Sequence, residues 1–175
     1  MKIFILFFFS VIFFLPGCTS ERIPFTQELR QEYQLSEEDL KNLQYYVSDD
    51  ILIERDAVLG ESKVDRGKLT TKSGKLIEQI LIEEDTPGIS VQSGEYWLAI
   101  SFEKDAALFF TSRLGYIRQG EYYLGTRGNQ RIQYSNKEYV VVNDGIESYL
   151  MIDRESLSNL IRNRKILLGR RVPLQ

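Results

Sequence analysis

Between Tyr96 and Phe102 the chain alternates strictly: Tyr96, Leu98, Ile100 and Phe102 fall on one side, Trp97, Ala99 and Ser101 on the other. A period of two belongs to an extended strand and not to a helix. The same period, broken by turn residues about every 8–12 positions, governs everything from Asp50 onward. Strands are expected at Asp50–Asp56, at 69–72 and 75–83 around Ser73-Gly74, and around Ile89 and Val91 before Ser93-Gly94. Further strands are expected at 107–111 after Glu103-Lys104-Asp105, and at 121–126 and 131–134 around Gly128-Asn129. Residues 137–142 run into Asp144-Gly145, where both residues tolerate positive φ, so a hairpin closed by 148–153 is expected there. Ser156–Leu160 reads as a single helical turn before a last strand near 165–172. Consecutive hairpins of short strands give a mainly β fold, an antiparallel meander forming a small barrel or sandwich.

Two short helices precede the strands. Thr26 opens a helical candidate over Gln27–Gln34. Ser36 is an N-cap, with Glu37, Glu38 and Asp39 in the first turn, where the helix dipole favours negative charge. Leu40, Leu43 and Val47 then follow at helical spacing, which predicts a second helix over 37–47.

The N-terminus follows a different pattern. Lys2 is followed by an apolar run, Ile3 to Pro16, interrupted only by Ser10, and this order is that of a secretory signal. As a helix the run reaches about 21 Å, short of the roughly 30 Å of a bilayer core. It ends at Leu15-Pro16-Gly17-Cys18. That tetrapeptide resembles the lipobox of bacterial lipoproteins, with Leu15 and Gly17 in the signal-peptidase recognition positions and Pro16 departing from the usual small residue. The resemblance covers residues 1–18 and implies cleavage before Cys18, which becomes a lipidated N-terminus. A diacylglyceryl cysteine supplies two acyl chains, and two chains suffice for stable anchoring where one does not. Thr19 follows, where an Asp would imply retention in the inner membrane, so the resemblance implies the outer membrane of a cell that has one.

The expected organisation is a signal peptide over 1–17, a lipidated Cys18 with a tether to residue 26, and one β-rich domain over 27–175. Removing residues 1–17 from 175 leaves 158, the size of a single domain. Only Lys2 is lost among the charges, so the net charge moves from −3 to −4, which gives no argument for nucleic-acid binding. Cys18 is the only cysteine, which rules out an intrachain disulfide. There is no histidine, which excludes Ser-His-Asp and Cys-His nucleophiles and zinc sites built on His. No cofactor or metal is implied.

Asp49-Asp50 and Glu83-Glu84-Asp85 lack the spaced oxygens of a hard-cation site and read as solvated turns. Arg162, Arg164, Lys165, Arg170 and Arg171 gather near the C-terminus. Against anionic headgroups each such charge contributes about 1 kcal/mol. The plainer account is a charged edge strand protected against aggregation, or one that pairs with the acidic N-terminal helix, residues 28–56 carrying nine acids against three bases.

Most aromatics are core candidates. At Phe109-Phe110 and Tyr122-Tyr123, however, alternation sends neighbours to opposite faces, so one of each pair stands outside the core. With Trp97 they are the candidate partner-binding aromatics. The leading expectation is a non-catalytic lipoprotein of the cell envelope that binds another envelope component. A carrier of a small apolar ligand within a barrel, lined by residues such as Leu98, Ile100 and Phe102, is the alternative. A carboxylate-based enzyme comes third.

Overall fold

The computed structural model describes residues 21–57, 68–72, 75–115 and 118–163. Structure starts at once. Strand β1 (Arg22–Pro24) pairs antiparallel with β12 (Leu150–Asp153), placing Arg22 opposite Asp153 and Pro24 opposite Met151. Phe25 is fully buried, with its ring edge-on to Tyr45 at 5.4 Å and 5.2 Å from Tyr122. Residues 21–26 are therefore part of the domain and not of the tether expected over 18–26. Burying a Phe contributes about 2–3 kcal/mol, which draws this segment into the core.

Helix α1 (Gln27–Glu32) is capped by Thr26, whose Oγ1 accepts from Leu29 N at 3.1 Å. Helix α2 (Glu37–Lys41) carries a capping box: Ser36 Oγ accepts from Asp39 N, and Asp39 Oδ2 accepts from Ser36 N. The helix stops at Asn42, and strand β2 (Gln44–Val47) follows with Tyr45 and Val47 inward. The helix expected over 37–47 is thus correct only in its first half. Leu40, Leu43 and Val47 are all buried, as a helical stripe would be, but Val47 gets there by strand alternation. Two tyrosines and a β-branched valine suit a pleated surface better than a helix.

The chain continues through β3 (Ile51–Asp56), β4 (Lys68–Lys72), β5 (Lys75–Ile82), β6 (Pro87–Ser93), β7 (Trp97–Glu103), β8 (Ala106–Gly115), β9 (Arg118–Leu124), β10 (Arg131–Tyr134) and β11 (Lys137–Val141), and after β12 ends its described part in α3 (Arg154–Arg162). One sheet runs in the order β1-β12-β2-β6-β7-β8-β9, the other β10-β11-β3-β5-β4, and every pairing is antiparallel. The fold is mainly β, as expected, and of the sandwich type rather than a closed barrel. The larger sheet still curls: Thr26 bridges Glu121 and Tyr123 bridges Tyr149, so β9 returns toward β1 and β12 without a continuous ladder among the described residues.

Both sheets contribute to one core. Tyr45, Leu98, Ile100, Phe110 and Tyr122 come from the larger sheet, Ile51, Ile53, Tyr139 and Val141 from the smaller. Tyr134 Oη donates to Glu103 Oε1 at 2.6 Å and ties β10 to the β7–β8 turn.

The expected hairpin at Asp144-Gly145 does not form. Residues 144–147 make a 3-10 turn, and the chain passes from the smaller sheet to the larger, so β11 pairs with β10 and β3 while β12 pairs with β1 and β2. Asn143 decides this. Its Oδ1 accepts from Leu52 N at 3.1 Å and Gly145 N at 3.2 Å, and its Nδ2 donates to Asp50 O at 2.8 Å. The single turn expected at Ser156–Leu160 is the nine-residue α3, whose Leu157, Leu160 and Ile161 pack on the core. Of the Ser73-Gly74 hairpin the flanking strands are described, with Lys72 opposite Lys75, but the turn lies outside the described residues, as does the last expected strand near 165–172.

Candidate functional site

The residues of β6 to β9 divide by face. Inward, Leu98 stands opposite Phe110 and Phe110 opposite Leu124. Outward, Trp97 stands opposite Thr111, Ala99 opposite Phe109, and Thr111 opposite Tyr123. Trp97 and Phe109 meet diagonally, with ring centroids 5.5 Å apart and planes at 51°. Tyr123 meets Tyr149 at 5.6 Å. The β6–β7 register shifts between Ser90 and Gln92, and Ile89 and Val91 on either side of Ser90 are both exposed. The outer face of this sheet therefore carries a strip of large apolar side chains. Phe109 is 46% exposed, Val91 42% and Ile89 53%; Tyr96, just before β7 and on the other side by alternation, is also 43% exposed.

Of the five aromatics singled out in the sequence, Trp97, Phe109 and Tyr123 lie on this outer face. Phe110 and Tyr122 are fully buried and drop out as contact residues. One member of each adjacent pair is inside and the other outside, as alternation requires.

Sequence reasoning missed the residues that hold the strip in place. Arg30, on α1, donates through Nη1 to Gly94 O at 2.7 Å, to Glu95 O at 3.2 Å and to Tyr122 Oη at 3.1 Å. Tyr122 in turn donates to Oε1 of the buried Gln27. Gly94 N donates to Trp97 O at 2.9 Å, closing the turn that presents Tyr96 and Trp97. No local pattern marks Arg30 or Gln27, since their partners lie more than sixty residues away.

The acidic clusters are turn elements. Asp50 Oδ1 accepts from Glu84 N at 2.7 Å, Asp49 Oδ2 accepts from Ser48 Oγ at 2.7 Å, and Asp85 pairs with Arg22, which also lies 3.8 Å from the Tyr46 ring centroid. Among the described residues no three of His, Cys, Asp or Glu gather as metal ligands.

A cleft of about 190 Å³ opens at the mouth between the sheets, lined by Glu78, Ile80, Asp105, Ser135, Lys137 and Tyr139. Glu78 is 2% exposed and already accepts from Arg55 Nε at 2.5 Å, with Lys137 Nζ 4.0 Å away. Burial raises the Tyr139 hydroxyl above its ordinary pKa.

Arg162 is exposed in the last turn of α3. Arg164, Lys165, Arg170 and Arg171 lie outside the described residues, as do Leu15, Gly17 and Cys18. No helix among the described residues is long and apolar enough to cross a membrane. Comparison with family models, with characterised proteins and with solved structures finds no match for the chain.

Proposed function

We propose that this chain is a non-catalytic lipoprotein of the cell envelope, anchored through Cys18, that binds another envelope component with the outer aromatic face of β6–β9. The observation that carries the reading is the contact of the half-buried Trp97 with the exposed Phe109 on the outer face of the sheet, which also carries the exposed Val91 and Ile89. Large rigid aromatics on a sheet lose little conformational entropy on binding, and such residues dominate interface energetics. Contiguous apolar surface of this kind marks interaction sites on soluble domains. Anchoring to a membrane adds effective concentration to any partner in the same envelope.

The two other readings gain less. Leu98 and Ile100, which a carrier would turn toward its ligand, are fully buried in the common core. Asp50 and Asp85, which an enzyme would need in a cleft, serve as turn acceptor and ion-pair partner.

The test is mild extraction of the anchored protein from its own envelope, followed by native mass spectrometry. A stoichiometric companion is expected with the wild-type chain and is lost from the Trp97→Ala/Phe109→Ala variant at unchanged fold. A protein that comes away alone, or a companion that the variant still retains, overturns the reading.

A further inference from the structure

With Cys18 acylated as proposed, the fold would begin almost at the lipid. Between Cys18 and Glu21 lie only Thr19 and Ser20, and three Cα–Cα steps span at most about 11 Å. Glu21 is itself tied down: Arg154 N donates to its carbonyl at 3.0 Å, and Arg154 Nε stands 3.0 Å from its carboxylate. From the next residue the β1–β12 ladder runs without slack. On that premise, whatever surrounds Glu21 and Arg154 stands next to the bilayer.

What surrounds them is the groove between α1 and α3. It encloses about 340 Å³, and Ile23, Leu29, Tyr33, Leu157 and Ile161 line it beside Arg154. Leu157 belongs to the buried core, and Ile23, Leu29, Tyr33 and Ile161 are partly buried and pack on it from one side, leaving an open trough. A tyrosine with one wet end and one apolar end suits the boundary between water and lipid. Among the described residues of these elements Glu21, Glu28, Glu32 and Glu155 interleave with Arg22, Arg30, Arg154 and Arg162, so their charges balance and give no net basic field to draw anionic headgroups.

We infer that the face made by α1, α3 and the start of β1 lies against phospholipid headgroups, held there by its short tether and not by charge. The inference rests on acylation of Cys18. It makes the contact insensitive to ionic strength, because screening weakens charge attraction but not a tether. It also sets the orientation in which the domain meets other envelope components.

The experiment uses the lipidated protein in vesicles of phosphatidylcholine with some phosphatidylglycerol and a spin-labelled lipid. With Cys18 acylated, a fluorophore goes selectively onto Glu32→Cys at the groove, or onto Val140→Cys on the outer face of the smaller sheet. Quenching is expected to be several-fold stronger at position 32 than at 140, and unchanged by added salt. A flexible Gly/Ser insertion of roughly 20 residues after Ser20, reaching about 25 Å, should remove the difference. Equal quenching at both positions, stronger quenching at 140, or a difference that survives the long tether overturns the inference. Mass analysis of the N-terminal peptide separates this from the anchor reading. An unacylated Cys18 removes that premise and the inference with it, whereas an acylated Cys18 with no preference between positions removes the inference alone.

Discussion

Arg55 stands opposite Glu78 across the β3–β5 ladder, and its Nε donates to Glu78 Oε2 at 2.5 Å with both side chains nearly closed to solvent. Lys137 Nζ lies 4.0 Å from the same oxygen, and the Arg55 guanidinium lies 5.8 Å from the Tyr139 ring centroid. Removing one partner of such a pair leaves a buried charge uncompensated and costs about 3–5 kcal/mol, whereas replacing both with apolar residues is often neutral. Glu78→Leu is therefore expected to lower the urea midpoint strongly, and Arg55→Leu/Glu78→Leu to recover most of the loss. A double variant no more stable than the single one would show that the pair is not the cause.

The two faces of β8 make a second prediction. Phe110 is fully buried among Leu98, Leu124 and Phe102, while Phe109 is out in solvent beside Trp97. Phe110→Ala should cost about 3–5 kcal/mol through lost burial and the cavity left behind. Phe109→Ala should stay within about 1 kcal/mol. Denaturation of both variants at unchanged m-value measures this. Comparable losses would mean that Phe109 is part of the core and not of a contact surface.

That division was legible because a period of two needs no knowledge of partners. The same holds for the strand content, and for the N-cap at Ser36, which is spelled out by Ser36 and the acids that follow it. Two misreadings had a common physical cause. Leu40, Leu43 and Val47 fit a helical stripe and a helix-then-strand equally well, and only the pairing of β2 with β6 and β12 decides between them. At Asp144-Gly145 the local chemistry favoured a tight hairpin, but the side chain of Asn143 bonds to backbone groups of Asp50 and Leu52, some ninety residues earlier. Phe25 was hidden for a related reason, since a lone aromatic in a polar stretch reads as linker until Tyr45 and Tyr122 close around it.

Tyr45 should make the protein sensitive to alkali. Burial holds its phenol neutral far above the ordinary range, and burial also raises Tyr122. In the unfolded chain a tyrosine ionises near pH 10. A group whose pKa is raised by folding contributes full stability below its unfolded value, and that stability falls as pH climbs above it. The urea midpoint of the wild-type chain is therefore expected to fall from about pH 10 upward. Tyr45→Phe loses the 3.0 Å bond from Tyr45 Oη to Leu40 O, and so should cost about 1 kcal/mol at neutral pH. Its midpoint should also fall less steeply in alkali. Parallel pH profiles for the two proteins would rule out Tyr45 as a source of the sensitivity.

Arg30 offers the sharpest link between the packing of α1 and the aromatic strip. One guanidinium nitrogen serves Gly94 O, Glu95 O and Tyr122 Oη, joining α1, the β6–β7 turn and β9. Lysine ends in a strongly hydrated ammonium on a shorter, flexible stem, so it does not hold a donor at this position beneath the turn as the guanidinium does. Arg30→Lys keeps the charge and is expected to cost about 1.5–3 kcal/mol, the usual worth of hydrogen bonds to a charged group. Its more telling effect should be local. With Gly94 O and Glu95 O released, the turn that presents Tyr96 and Trp97 loosens, and local opening there becomes easier than global unfolding. Amide exchange over residues 94–97 should then accelerate more than exchange in β3 and β5, and the emission of Trp97, the one tryptophan, should shift toward that of a solvated indole. Uniform acceleration across both sheets would instead assign Arg30 a purely global role in stability.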